Sequence, residues 1–262
     1  MDVYVISPVS NLEPMNLGDR IFALAHLWVQ FPHYREFILK KQEEGYWITL
    51  DNSAAERSLV TEDVLINICH ELMPDEVIAP DVLFDKDATI LNAIDFKNRM
   101  EKEGLLNKID IFFCPQGIDR EDWLTAYKWA IDQDFINVIG FSKIAVPNAW
   151  LDNYTDDQGI KEARHMAYDY LKDKGLLIKP IHCLGQGDPT EFAHYTHPMM
   201  RSTDSVYPVF AASLGQDFSK DHTTRTPTPH NFLETFDMSN VDMDLVKSNV
   251  QFLTKQTSIW TN

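Results

Sequence analysis

The chain of 262 residues has little cysteine, and its three cysteines, Cys69, Cys114 and Cys183, lie far apart. Cysteines that are odd in number and widely spaced do not suit a disulfide framework, which favours a reducing compartment and predicts a cytoplasmic protein. None of them belongs to the closely spaced pair of ligands that a structural zinc site usually needs. The sequence therefore predicts no metal site.

Long apolar runs are also missing. No run approaches the ~20 residues that a transmembrane helix needs. The N-terminal stretch MDVYVISPVS lacks the basic segment and the long apolar segment that together mark a secretion signal. We therefore expect neither a membrane span nor a secretion signal.

Basic residues are scarce relative to acidic ones, because 23 Lys and Arg stand against 40 Asp and Glu, for a net charge of −17 at pH 7. This balance argues against a protein covered by phosphate-binding surface. A local basic patch can still bind nucleic acid. Four basic residues lie close to the candidate site stretches described below, namely Lys143, Lys179, Arg201 and Arg225. Charge alone disfavours a nucleic-acid substrate but leaves it open.

The sequence does contain a regular alternation of apolar, strand-like runs and amphipathic stretches. The seven predicted strands are Val3–Ser7, Tyr46–Leu50, Asp75–Asp81, Ile109–Phe113, Ile136–Ile139, Leu176–Leu184 and Met199–Asp204. The predicted helices are residues 19–43 (broken near Pro32), Val64–Leu72, Asp87–Glu103, Glu121–Asp132 and Lys161–Lys174. This alternation is typical of a parallel sheet with crossover helices, and α/β barrels run to about 250 residues as one unit. It predicts an α/β fold, a TIM-like (β/α)8 barrel, regular or irregular.

An eighth strand at Val206–Ala211 would complete the regular form of this barrel. The composition changes after residue 215, where the polar stretch Lys220–His230 with its two prolines predicts an ordered loop or a mobile lid. The apolar residues of Val241–Thr254 predict a final helix. We therefore expect residues 1–262 to form a single domain, with residues 215–262 packed on the barrel as a loop and a C-terminal helical extension.

Polar side chains able to do chemistry stand where several of the predicted strands end. They are Asp51, Asp81, Gln116, Ser142 and Asp204. A parallel barrel displays its active site in this way, at the C-terminal ends of its strands. The alternative for each aspartate is a helix N-cap in the loop after the strand, where Asp is favoured because it bonds free backbone N–H groups.

Two further candidates are weaker. Gly185-Gln186-Gly187 precedes a predicted helix, so it is either an anion-binding turn or simply a tight turn between strand and helix. Cys114 is either a nucleophile activated by a distant histidine or a buried strand cysteine.

Six short motifs follow one another in order between residues 46 and 210: Leu50–Ser53, Glu76–Asp81, Pro115–Gly117, Ile139–Val146, Leu184-Gly185 and Arg201–Val206. Their order and spacing resemble the tRNA-guanine transglycosylase superfamily. The resemblance is greatest to its short phage-type and DpdA-type enzymes, which insert 7-deazaguanines into DNA.

The resemblance implies a function and a set of roles. Asp204 would be the nucleophile and Asp51 the general acid and base of a base exchange. Asp81 and Gln116 would recognise the guanine edge, and a backbone amide near Gly140 would meet O6 of the base. The remaining substrate-binding residues that the resemblance implies are Asn52, Ser142 and Gly185.

Three departures from the family pattern refine this expectation. The family's zinc motif is absent, so no cofactor is expected. Its Gly-Gly is replaced by Ser53-Ala54 or Ala54-Ala55. Pro147 replaces the glutamate that accommodates a cationic substituent, which favours a neutral incoming base such as 7-cyano-7-deazaguanine.

The expected partners are therefore a DNA substrate and a free 7-deazaguanine base. Three alternatives stay open: a transglycosylase acting on tRNA, a non-catalytic nucleic-acid-binding homologue, and an unrelated barrel, such as an aldolase or hydrolase, that uses Cys114 or a lysine.

Overall fold

Eight parallel strands form the centre of the fold in a computed structural model that describes residues 1–54, 60–151, 157–222 and 226–258. The strands are β1 (Asp2–Val5), β2 (Ile21–Leu24), β3 (Ile48–Asp51), β4 (Glu76–Ile78), β5 (Asp110–Phe113), β6 (Ile136–Ser142), β7 (Ile181–Leu184) and β8 (Met200–Ser205). They pair in the order β1-β8-β7-β6-β5-β4-β3-β2. The predicted TIM-like α/β barrel is confirmed, in a nearly closed form.

The seam between β1 and β2 completes the circle with few backbone hydrogen bonds. Tyr4 and Arg20 form a single parallel bridge there. The Asp19 amide donates to the Val3 carbonyl at 2.8 Å, and Asp19 Oδ2 accepts from the Val3 amide at 2.8 Å. A side-chain carboxylate thus takes the place of a strand carbonyl at this seam.

Ten α-helices surround the barrel in the described ranges. They are α1 (Ala25–Gln30), α2 (Pro32–Glu43), α3 (Glu62–Leu72), α4 (Lys86–Lys102), α5 (Arg120–Ile131), α6 (Ala145–Trp150), α7 (Asp157–Asp173), α8 (Tyr207–Ser213), α9 (Phe232–Thr235) and α10 (Met243–Ser258). Short 3-10 helices cover Glu13–Leu17, Glu191–His194 and Met238–Asn240. Thr61, Asp85 and Asp119 cap α3, α4 and α5 by accepting a backbone N–H.

The C-terminal helix α10 packs on the outside of the barrel. Its Val246, Val250 and Leu253 are buried in the same hydrophobic core as Val3 and Val5 of β1. The first βα connection has only a short 3-10 helix, and α10 contacts both that helix and β1. The last helix therefore covers the first strand.

Two parts of the predicted secondary structure are wrong. Residues 21–24 form strand β2 and not the start of a helix, and Val206–Ala211 is not a strand because α8 begins at Tyr207. The cause at β2 is that a short run of buried apolar residues reads equally well as helix or strand. Helix α1 also follows β2 directly, without a turn residue to separate them.

A β-bulge in β8 turns one side chain into the floor of the barrel. Ile181 pairs with Met200 while His182 pairs with Ser202, so Arg201 is the extra residue, and bulges re-aim side chains in this way. Arg201 reaches Glu76 at the start of β4, on the far side of the barrel, through two hydrogen bonds of 2.5 and 2.9 Å. Glu76 is fully buried.

We expect Arg201→Met to lower the free energy of unfolding by about 3–5 kcal/mol, because it leaves the Glu76 carboxylate buried without its cation. Urea denaturation measures the loss. The double variant Arg201→Met, Glu76→Gln should recover most of it, since the charge is gone. Arg99→Met, which breaks ion pairs on the outer surface, should lose only a small fraction as much. Equal losses in the two single variants would contradict the prediction.

Candidate functional site

A cavity of about 620 Å³ opens where strands β3, β6, β7 and β8 end. Its volume is in the usual range for small-molecule sites, and its place at the C-terminal ends of the strands is where barrel enzymes keep their active sites. Six of the eight predicted site residues line it: Asp51, Asn52, Asp81, Ser142, Gly185 and Asp204.

Gln116 and Gly140 are outside this lining. Gln116 is fully buried. Gly140 is packed inside the barrel, where an added Cβ would come within 2.7 Å of Cys114 Sγ and 2.8 Å of Phe112 Cε2. Of the three residues predicted to read the base, Gln116 and Gly140 are thus part of the structure behind the cavity, and only Asp81 lines it.

Asp204 is held on one oxygen only. The Gly185 amide donates to Asp204 Oδ1 at 2.9 Å, and His182 Nε2 lies 3.0 Å from the same oxygen. No hydrogen bond from the described residues reaches Oδ2. The carboxylate is fixed in place and keeps one oxygen for a substrate.

His182 is a site residue that the sequence analysis missed. It is fully buried inside the barrel and stacks on Phe22, with ring centroids 5.5 Å apart. Burial lowers the pKa of His182 against the raising effect of Asp204, so the ring stays neutral near pH 7. The only signal in the sequence is a lone histidine within the apolar run Ile181–Leu184.

A chain of hydrogen bonds fixes which nitrogen of His182 carries the proton. Arg201 Nε can only donate, and it lies 3.2 Å from Ser202 Oγ. The Ser202 hydroxyl then donates to His182 Nδ1 at 2.8 Å. Because the Asp204 carboxylate can only accept, Nε2 of the neutral ring carries the hydrogen and donates it to Asp204. The ion pair at the floor and the carboxylate in the cavity are joined by this chain.

The backbone conformation at position 185 requires a glycine. Its φ is +68°, and an added Cβ would stand 2.5 Å from Cδ of Lys143. Both constraints favour glycine at this turn. The turn in return directs the Gly185 amide at Asp204.

The loop after β3 holds Asp51 at the cavity wall. Asp51 Oδ2 accepts from the Ser53 amide at 2.9 Å, and Ser53 adopts a φ of +59°. Ser53 Oγ accepts from the His26 amide at 3.1 Å and lies 2.9 Å from His26 Nδ1. Of the two candidates for the position of the family's Gly-Gly, Ala54-Ala55 includes Ala55, which lies outside the described residues.

The helix-cap alternative is wrong for all three aspartates. Helix α3 is capped by Thr61 and not by Asp51, and α4 is capped by Asp85 and not by Asp81. Helix α8, which follows Asp204, has no side-chain cap. Ser142, by contrast, accepts from the amides of Ile144 and Ala145 at 3.1 and 3.3 Å, just where α6 begins.

Two amide side chains support Asp81. Asn52 Nδ2 donates to Asp81 Oδ1 at 2.8 Å, and Gln116 Nε2 donates to Oδ2 at 2.5 Å. Gln116 Oε1 accepts from the Phe84 amide at 3.1 Å, so its carboxamide is bonded to the protein at both ends. Burial raises the pKa of Asp81 in spite of these donors.

Cys114 also lines the cavity, but its thiol is poorly suited to attack a substrate. Burial raises the pKa of Cys114 well above its usual value, and the charges of Asp81, Asp51 and Asp204 raise it further. The thiolate is the nucleophilic form of cysteine. These surroundings disfavour the alternative of a cysteine-dependent hydrolase.

The four basic residues near the candidate site stretches differ in their positions and partners. Lys143 lines the cavity. Arg201 is bonded to Glu76, and Lys179 donates to the carbonyls of Gln133 and Ile136, near the opposite end of β6. Arg225 lies outside the described residues. One of the four is therefore placed to meet a ligand in the part of the chain that is described.

The predicted loop or lid contributes to the cavity. Pro227–His230 and Phe232–Glu234 line it, and the Leu233 carbonyl accepts from the Val9 amide at 2.9 Å. Glu234 Oε1 lies 3.5 Å from His26 Nε2. This segment forms a wall of the cavity and is joined to the loop after β1.

No known family model matches the chain, and no curated protein matches it in sequence. Over the residues described, no group of three or more His, Cys, Asp or Glu side chains could hold a metal ion. No helix in the same ranges is long and apolar enough to cross a membrane.

We expect Cys114 to resist alkylation by iodoacetamide at about pH 8 in the folded protein, because its pKa is raised. Mass spectrometry measures the modification. Thr125→Cys, at an exposed position of α5, is the matched control and should react rapidly. Fast modification of Cys114 in the native protein would revive the cysteine alternative.

Proposed function

We propose that this protein is a guanine transglycosylase that exchanges guanine in DNA for a 7-deazaguanine base. The incoming base is 7-cyano-7-deazaguanine, because Pro147 replaces a glutamate of the family pattern. The observation that carries the proposal is the arrangement of Asp204, which is bonded on one oxygen by a neutral histidine and a backbone amide. Asp51 and Asp81 line the same cavity.

In the first half of the reaction, Asp204 Oδ2 attacks C1′ of the target nucleotide. The bond from C1′ to N9 of guanine breaks, and its electron pair leaves with the base. Asp51 donates the proton that neutralises the leaving guanine. The product is a glycosyl ester of Asp204, formed through an oxocarbenium-like transition state as in retaining glycosidases.

In the second half, the Asp51 carboxylate takes the N9 proton of the incoming base. N9 of that base then attacks C1′, and the ester bond breaks to release the Asp204 carboxylate. The proton balance closes, because Asp51 ends the cycle protonated, as it began.

Base recognition falls to a third carboxylate of the cavity, that of Asp81. Asp81, oriented by Asn52 and Gln116, accepts a hydrogen bond from the N2 amine of the base. The target nucleotide must be flipped out of a duplex, or taken from a single strand, to reach a cavity of this depth. Lys143 is a cation of the lining that can meet a backbone phosphate.

Incubation with labelled guanine separates the candidate functions. We expect incorporation of label into DNA and not into tRNA. Incorporation into tRNA alone would select the tRNA enzyme in its place. No incorporation into either would favour a non-catalytic binding protein or an unrelated barrel.

Asp204→Asn should lower exchange by at least about 10⁴-fold, the scale of nucleophile loss in other enzymes, while base binding changes little. Asp87→Asn, at an exposed carboxylate of α4, is the matched control and should keep full activity. An acid-quenched reaction of the wild type should show, by mass spectrometry, a nucleotide attached to the peptide that contains Asp204. Full exchange by Asp204→Asn would refute the assignment.

We expect the affinity for guanine to fall as the pH drops below the raised pKa of Asp81, because the protonated carboxyl loses an acceptor for the N2 amine. One proton linked to binding gives a slope of about tenfold per pH unit. Calorimetric titration across the acidic range measures it. Asp51, Asp204 and Cys114 share the cavity, so Asp81→Asn must flatten the profile. An unchanged slope in that variant would assign the titration to another group.

A further inference from the structure

Gln186 has a buried carboxamide with no partner in the part of the chain that the structure describes. The residue lines the cavity beside Asp204, and it is 3% exposed. Neither Oε1 nor Nε2 has a hydrogen-bond partner among the described residues. Its backbone, in contrast, is held firmly, since its amide donates to the Asp204 carbonyl at 2.8 Å and its carbonyl accepts from Ser205 Oγ at 2.8 Å.

Such an arrangement is unusual for a native protein, where buried polar side chains nearly always have partners. Leaving a carboxamide unpaired costs the loss of its hydration without compensation. The contrast with Gln116 is direct, because that buried glutamine is satisfied at both ends by Asp81 and Phe84. A paired glutamine orients another residue, whereas an unpaired one in a cavity wall is suited to a ligand.

A second unpaired atom lies in the same cavity wall. Glu234 Oε2 is buried and has no hydrogen-bond donor among the described residues. Glu234 and Gln186 belong to different segments, one after α8 and one after β7. Unpaired polar atoms from two segments around one cavity indicate a ligand that carries several donors and acceptors.

We propose that Gln186 binds the amide edge of the exchanged base, the role that the sequence resemblance implied for Gln116. Nε2 donates to O6 of a guanine-type base, and Oε1 accepts from its N1–H. Asp81 still accepts the hydrogen bond from the N2 amine. This inference rests on the proposed base exchange, and it makes Gln186 the residue that selects bases with a carbonyl next to an N–H over bases without that edge.

The test compares two ligands that share the N2 amine. Guanine has the O6 and N1–H edge, and 2-aminopurine lacks it. We expect the wild type to prefer guanine in calorimetric binding, and Gln186→Met to reduce that preference by about tenfold or more, the usual effect of lost paired hydrogen bonds. Gln186→Leu is a second variant that removes the same amide.

Stability distinguishes a binding role from a structural one. Without ligand, Gln186→Met should unfold at the same urea concentration as the wild type or at a higher one, because an unpaired buried amide is removed. Gln116→Met is the matched control and should unfold at a lower concentration, since it breaks the bonds to Asp81 and Phe84.

The outcomes separate the two proposals. If the wild type binds guanine and both Gln186 variants keep its full preference, the Gln186 assignment is wrong and the base exchange stands. If the wild type does not bind guanine, the proposed function fails and the Gln186 assignment fails with it. A lower stability of both Gln186 variants, with preference unchanged, would make Gln186 structural.

Discussion

A line of hydrogen bonds from the floor of the barrel to its mouth connects the packing of this protein with its chemistry. It begins at the buried Glu76–Arg201 ion pair and passes through Ser202 and His182 to Asp204. Every hydrogen bond from Arg201 to Asp204 runs in the same direction, because the guanidinium at the start can only donate and the carboxylate at the end can only accept. The bulge at Arg201 is what makes the line continuous, since it turns that side chain inward.

The cavity stabilises its carboxylates with neutral groups rather than with cations. Asp204 is bonded by an amide and a neutral imidazole, and Asp81 is bonded by two carboxamides. These neutral donors fix the two carboxylates without neutralising their charge.

The sequence predicted the barrel and most of the cavity for one physical reason. Parallel strands end on the same side, so polar residues that follow apolar runs meet there, as Asp51, Asp81 and Asp204 do. The prediction of secondary structure failed at β2, because a run of four buried apolar residues has no periodicity that distinguishes a strand from a helix. His182 was missed because the contact of that side chain with Asp204 depends on the register of β7 against β8. Gln186 was identified only as part of a Gly-x-Gly turn, because the burial of its side chain arises only in the fold. Gln116 was placed correctly at a strand end, but its bonds to Asp81 and Phe84 arise only in three dimensions.

The pairing of the first strand with the last has a consequence for how the chain folds. β1 forms its ladder with β8, from Asp2 opposite Ser202 to Val5 opposite Ser205, and α10 covers β1. A ribosome releases β1 before β8 and α10, so β1 stays without its ladder until β8 has been made. Contacts of such long sequence separation slow folding, because the loop must close before they form. The barrel can therefore close only after β8 has been made, and until then β1 is an unpaired strand of the kind that promotes aggregation.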